Sequence, residues 1–223
     1  MNIISFSLWG NLPIYNIGAI ENAKLRPYIY PNFVCRYYVD KSVPQSTIDE
    51  LKKLGSEIVM MGEGEGFKRL FWRMYPAEDR TIGRFIVRDC DSRINIREAL
   101  AVKEWMESGV SFHIMRDNRN HTLFIQGGMW GGVGGSIPNL RTAIDDFIKG
   151  VTTGYRDYYN LDQMFLNMRV WPKIKDMHMA HSIIKITGDE KPFSIELGDG
   201  MFIGQVIDEN NVPLSDTRRN PLI

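Results

Sequence analysis

Apolar and polar residues fall in blocks along this chain, and the blocks switch between two periods. Short runs rich in β-branched and aromatic residues occupy positions 2–8, 33–40, 57–61 and 84–88. Each is bounded by turn-forming or charged residues, which predicts strands of a buried sheet. Between them lie stretches with helical spacing. Residues 16–30 predict a short helix broken by Pro27 and Pro31. Thr47-Ile48-Asp49-Glu50 has capping-box spacing and opens a helix that ends near Gly55. Residues 67–75 predict a helix stopped by Pro76, and residues 95–108 one stopped by Gly109, with Ile96, Leu100 and Trp105 on its apolar face.

The second half continues with strands at 111–116 and 122–126, then a glycine-dense loop, Gly127-Gly128-Met129-Trp130-Gly131-Gly132-Val133-Gly134-Gly135. Helices follow near 139–149 and 161–168, and Gly198-Asp199-Gly200 between 193–197 and 201–207 reads as a β-hairpin. Strand–helix alternation predicts an α/β fold with a largely parallel sheet and a small C-terminal β appendage. A chain of 223 residues suits one such domain, spanning 1–223.

Composition removes several function classes. Lys plus Arg number 27 and Asp plus Glu number 27, so the net charge is zero. No global field draws nucleic acid or an anionic membrane. No run of about 18 apolar residues exists to span a bilayer. The first nine residues lack the basic and apolar regions of a signal peptide. Cys35 and Cys90 are the two cysteines, and with Cys90 inside a candidate metal site a bridge between them is not expected. These features predict a soluble, cytoplasmic protein.

The sharpest chemical signal is Arg84-Phe85-Ile86-Val87-Arg88-Asp89-Cys90-Asp91-Ser92-Arg93. An apolar strand ends in D-x-D, presenting carboxylates where open α/β sheets bind ligands. Two carboxylates one residue apart suit a hard divalent cation that also holds phosphates. Arg84, Arg88 and Arg93 would then face phosphate oxygens, the bland alternative being a salt-bridged loop. The glycine loop lacks Gly-Lys-Ser/Thr and dinucleotide spacing, so it is neither a Walker loop nor a Rossmann fingerprint. Its glycines around Trp130, Gly131 among them, would let backbone approach a flat ligand such as a sugar ring, or simply make a turn. Gly62-Glu63-Gly64-Glu65-Gly66 carries acids and reads as a flexible surface loop. Asp162 opens an apolar helix as a site acid or an N-cap. His178 and His181 lie three apart, a metal pair or surface decoration.

With these segments in hand, the chain resembles GT-A-fold glycosyltransferases. The D-x-D strand, Phe112-His113-Ile114-Met115-Arg116-Asp117 and Gly127-Gly128-Met129-Trp130-Gly131 are similar to small soluble transferases of large algal viruses and some bacteria. Asp162-Gln163-Met164-Phe165-Leu166-Asn167 is similar to the D-Q-x-x-L-N run of glycogenin-like enzymes. The resemblance covers residues 2–205, most specifically 84–130. It implies a GT-A-like central sheet and, in a virus-encoded chain, the host cytoplasm. Residues 1–117 would bind a nucleotide-sugar, 118–185 would form the acceptor side, and 186–223 the hairpin and tail. Asp89 and Asp91 would hold Mn²⁺ or Mg²⁺ against the donor diphosphate, and Asp162 would face the sugar or act as base. His181 would match a late metal-ligating histidine, although it stands seven residues before Gly188, farther than the family spacing, and His178 stays open. Trp9, at the exit of the first strand, would stack on a base and Trp130 would line the sugar or acceptor, the alternative for each being a place in the core, and Arg73 would touch the diphosphate or base.

The reading is therefore a metal-dependent transferase moving a sugar from a nucleotide-sugar, a UDP-sugar first, to a glycan or glycoprotein acceptor. Two rivals share the D-x-D: a haloacid-dehalogenase-like phosphatase and a non-catalytic carbohydrate-binding protein. Against the first, Arg88 precedes the motif and Arg93 stands where that family has Thr or Val.

Overall fold

A computed structural model describes residues 1–151 and 159–214. Seven strands form one sheet: β1 (Asn2–Leu8), β2 (Phe33–Asp40), β3 (Glu57–Gly62), β4 (Arg84–Val87), β5 (Phe112–Arg116), β6 (Trp130–Val133) and β7 (His178–Ser182), in the order β3-β2-β1-β4-β6-β5-β7. All run parallel except β6, which is antiparallel to both of its neighbours. The helices are α1 (Pro13–Ile29), α2 (Gln45–Lys53), a 3₁₀ helix (Gly66–Ala77), α3 (Ile96–Ser108) and α4 (Leu140–Gly150). Then α5 (Leu161–Phe165) runs through a π turn (Leu166–Val170) into α6 (Trp171–Ile174).

β1 and β4 are buried along nearly their whole length because both faces of the sheet are covered. Alternate residues feed two cores. Ile3, Phe85 and Val87 pack with Phe71 and Met74 of the 3₁₀ helix, with α4 and with α5. Ile4, Phe6 and Ile86 pack with Ala19 and Ala23 of α1 and with Val102 and Trp105 of α3. Parallel β1, β2 and β4 thus deliver Trp9, Asp40 and the D-x-D to the same edge of the sheet.

Several local expectations give way to tertiary contacts. α1 starts at Pro13, a favoured first-turn position, and continues past Pro27, which falls in its last turn. α2 begins at Gln45, so Thr47 is an internal buried residue rather than a cap. The 3₁₀ helix runs through Pro76. α3 begins after Asn95, whose side chain caps Glu98 N–H, but its Ile96 is exposed. Residues 122–126 are loop, and the glycine-dense segment supplies β6 instead. There the absence of side chains is the requirement: a Cβ on Gly131 would stand 2.5 Å from the Phe85 carbonyl oxygen.

Residues 193–214 form no named strand, and Gly198–Gly200 is a 3₁₀ turn. The chain reversal comes later, at the antiparallel bridge Ile207–Pro213. This segment packs back on the fold: Ile203 is fully buried and its N–H donates to Asp117 Oδ2.

His113 of β5 and His181 of β7 form a buried relay. His181 Nε2 lies 3.0 Å from Glu104, a pure acceptor when ionised, and its Nδ1 lies 2.9 Å from His113 Nε2. Two neutral rings satisfy this chain, with each Nε2–H donating. Burial pushes His113 well below its ordinary pKa of 6.5, and repulsion between protonated forms of the two paired rings, together with the Arg88 charge, adds to the push. Burial also lowers His181, against the opposing pull of Glu104. Unfolded histidines bind protons below about 6.5 while the folded ones stay neutral, so stability falls as pH drops through that value. The expected slope is up to ~1.4 kcal/mol per pH unit per histidine. His113→Gln should flatten it in urea unfolding measured at several pH values between neutral and mildly acidic. An unchanged slope would contradict the assignment.

Candidate active site

The D-x-D emerges just past β4, beside the end of β1. Its backbone is seated by α1 before any side chain is considered. A Cβ on Gly18 would stand 2.0 Å from the Cys90 carbonyl oxygen, so glycine lets the helix touch the motif. One turn on, buried Asn22 donates to the Ser92 carbonyl (2.8 Å) and accepts from Ile94 N–H (3.0 Å). From the other side, Ile207 N–H donates to the Asp91 carbonyl at 2.7 Å.

Side chains from distant elements then converge on a cavity of about 520 Å³ lined by Trp9, Tyr15, Arg73, Asp89, Asp91 and Asp162, among others. Arg73 is the hub. Its 3₁₀ helix is fastened to β1: Arg73 N–H donates to Ser7 Oγ (3.0 Å) and Ser5 Oγ donates to the Arg73 carbonyl (2.7 Å). Its guanidinium pairs with Asp89 through Nη1 and with Asp162 Oδ2 through Nη2, the latter at 2.8 Å. Gly127 and Gly128 pass so close to these acids that a side chain at either would collide. A Cβ on Gly128 would lie 2.6 Å from the Asp89 carboxyl carbon, and one on Gly127 2.8 Å from Asp162 Oδ2.

Electrostatics follow from burial. Asp162 is 2% exposed. Burial raises its pKa, Arg73 opposes the rise, and the Asp89 charge adds to it. For Arg73 burial acts downward, but Asp89 and Asp162 outweigh it and the guanidinium stays charged. Burial, helped by Asp91, pushes the Tyr15 phenol up, so it remains a hydroxyl donor. Arg73 is the one Lys or Arg among the described lining residues, and two carboxylates already share it. Asp91 is half-buried and lines the same space. The pair Asp89–Asp91 fits a hard cation whose other ligands are phosphates and water, the usual arrangement of Mg²⁺ in phosphate sites. It does not fit an all-protein cage: among the described residues no three metal-ligating side chains converge on one point.

The frame that carries these residues has known counterparts. A crystal structure of a glycosyltransferase involved in glycosylation of the major capsid of PBCV-1 is similar over 81% of this chain and 81% of that one, with TM-score 0.51 and 15% identity. The chain has a GT-A-like fold. Weaker likenesses are a cytidylyltransferase from Leptospira borgpetersenii (TM-score 0.41, 11% identity, 85% of this chain and 78% of that one) and mouse xyloside xylosyltransferase 1 (TM-score 0.39, 13% identity, 80% and 83%). No protein-family model matches the sequence, and a search of curated proteins found no similar chain.

Within this GT-A-like fold, five of the residues singled out in the sequence meet at the cavity: Trp9, Arg73, Asp89, Asp91 and Asp162. The others lie elsewhere. Arg84 stands at the start of β4, the far end from the D-x-D, stacked over Trp105 at 4.8 Å. Arg88 points into the core, where it pairs with buried Glu98 at 3.2 Å. Arg93 holds the C-terminal segment through Asn211 and the Asp208 carbonyl. Trp130 is 1% exposed, edge-on to Phe85, because its strand is central to the sheet; Gly131 is sealed in the same strand. His181 belongs to the His113–Glu104 relay and does not line the cavity, and the half-buried His178 stands against Trp171.

Residues that sequence reasoning passed over include Gly18, Asn22, Tyr15 and Gln126. Gly18 and Asn22 are four apart on α1, a spacing that is visible but silent about what the helix faces. Asp40, at the end of β2, accepts from Gly64 N–H (2.8 Å) and Arg69 (2.9 Å). Burial acts to raise its pKa, but these bonds and those from Ser42 hold the carboxyl below the usual range. The surface segment at Gly62–Gly66 is therefore tied to the sheet at Gly64.

Proposed function

We propose that this chain is a metal-dependent glycosyltransferase that moves a sugar from a nucleotide-sugar, with UDP-sugars the first candidates, to a glycan or glycoprotein acceptor. The observation that carries the reading is the convergence of three carboxylates, Asp89, Asp91 and Asp162, on one cavity, with Arg73 shared by Asp89 and Asp162. A nucleoside diphosphate is itself an anion, and a divalent cation between it and these carboxylates would offset their repulsion. A cavity of about 520 Å³ falls in the range of small-molecule sites.

Each group has work in that chemistry. Asp91 and Asp89 would hold the cation, which when bound neutralises charge on the departing diphosphate. Arg73 fixes Asp89 and Asp162 at a constant separation. Both Asp162 oxygens are engaged, one by Arg73 and one by the Gln163 N–H at 2.8 Å. That favours a fixed negative charge beside an oxocarbenium-like sugar over a proton acceptor. Trp9 offers an aromatic face for a base. Exposed Leu123 and Tyr159 at the rim offer apolar surface to a sugar acceptor.

A thermal-shift panel of nucleotide-sugars, with and without Mn²⁺, tests the reading. Binding to the folded state raises the melting temperature by mass action. One nucleotide-sugar is expected to stabilise the protein only with the metal, and to be turned over to free nucleoside diphosphate when a glycan acceptor is added. Turnover of a generic phosphoester with no nucleotide-sugar binding would favour the phosphatase instead.

A further inference from the structure

We propose that Gln126 is a specificity-determining residue whose carboxamide hydrogen-bonds a hydroxyl oxygen of the sugar carried by the donor; this rests on the glycosyltransferase reading. Gln126 lines the cavity, yet it is 9% exposed and its Nε2 has no hydrogen-bond partner. A buried amide donor left unmatched costs about 1–3 kcal/mol, and native proteins hold few of them. A ligand oxygen at this wall would supply the missing acceptor.

The local architecture shows that the residue is held in place. Asn167 clamps the preceding residue, accepting from Ile125 N–H (3.1 Å) and donating to the Ile125 carbonyl (2.9 Å). Gln163 accepts from the N–H of the following residue, Gly127, at 3.4 Å. These two amides stand four apart on one helix face in the Asp162-to-Asn167 run and bracket Gln126. The Gln126 carbonyl accepts from Met129 N–H at 3.1 Å, closing the turn. The backbone is thus fixed on both sides while the side-chain donor is left unmatched, an arrangement suited to function more than to stability.

Position gives the chemical class. The chain meets Asp162 at Gly127 and Asp89 at Gly128, so along its path Gln126 lies next to the contact with Asp162 and one residue farther from the contact with Asp89. A neutral amide there matches the lone pairs of a sugar hydroxyl; phosphate oxygens would lie toward the D-x-D.

The test is Gln126→Met, which keeps the volume and removes the donor. Affinities for UDP, UDP-glucose, UDP-galactose, UDP-N-acetylglucosamine and UDP-xylose are measured with Mn²⁺, together with the melting temperature of the ligand-free protein. The expected result has two opposite signs. The ligand-free variant melts at the same or a higher temperature, because a buried unmatched donor is gone. Its affinity for the preferred UDP-sugar falls at least fivefold while its affinity for UDP is unchanged. A lower melting temperature would show the amide to be structural and overturn the inference. Equal loss for UDP and UDP-sugar, or no loss, would also overturn it. A wild-type protein that binds none of these UDP-sugars would remove the glycosyltransferase reading and this inference together.

Discussion

Asp91→Ala is expected to lower sugar transfer by about 10²–10³-fold, the loss typical when one electrostatic partner of a developing charge is removed. The same variant should lose Mn²⁺-dependent stabilisation by nucleotide-sugars. Asp91 is half-buried and lines the cavity, and its backbone carbonyl accepts from Ile207 N–H, a bond that alanine retains. The substitution therefore removes a carboxylate from the cavity and leaves that backbone bond. Asp89→Ala is a less direct test, since it also strips Arg73 of a partner. Full activity of Asp91→Ala, assayed by nucleoside diphosphate release, would refute the metal-clamp assignment.

The largest stability effect is expected at Arg73. Removing this side chain leaves Asp162, 2% exposed, without a counter-charge. Breaking a buried ion pair by deleting one partner costs about 3–5 kcal/mol. The loss should depend on pH, and the sign follows from the burial that already raises Asp162. Without Arg73 its folded pKa rises further, so the folded state holds a proton that the unfolded state releases above its ordinary value of 3.8. Destabilisation is thus small in acid, where both states are protonated, and grows as pH rises through the folded pKa. Urea unfolding of Arg73→Ala at mildly acidic and at neutral pH measures it. Adding Asp162→Asn should recover part of the loss at neutral pH, because the orphaned charge is gone. A pH-independent loss below about 1 kcal/mol would show that the pair is not the hub of the site.

These two residues also mark what could be read from the chain. Asp91 was legible because its signal is local: an apolar run followed at once by carboxylates has a period and an ending. The same holds for β1, β2 and α3, whose patterns are completed within a few residues, down to the stop at Gly109, which is in left-handed conformation. Arg73 carries no local signal of its role, since its carboxylate partners stand 16 and 89 positions away. Nothing in a linear pattern encodes that convergence. The β6 glycines carry no side-chain period, so the chain alone predicts a loop there; their signal is the space they leave, and it appears only when Phe85 and Phe112 are packed against them. Proximity in sequence places Arg88, and family resemblance places His181, at the site, and packing moves both away from it. One step past Val87 along the chain turns Arg88 toward Glu98, and register on β7 turns His181 toward Glu104.

The alternation of strands and helices, the place of the D-x-D at a strand end and the zero net charge can all be read from the chain alone. Those are properties of neighbours along the chain, fixed by steric preference and hydrophobic period. It took the folded arrangement to reveal which carboxylates share the Arg73 guanidinium, which arginines support the core, and which amide is left unmatched at the cavity wall. Those depend on side chains from separate elements arriving at one point, and that meeting is set by how the two faces of the sheet are packed.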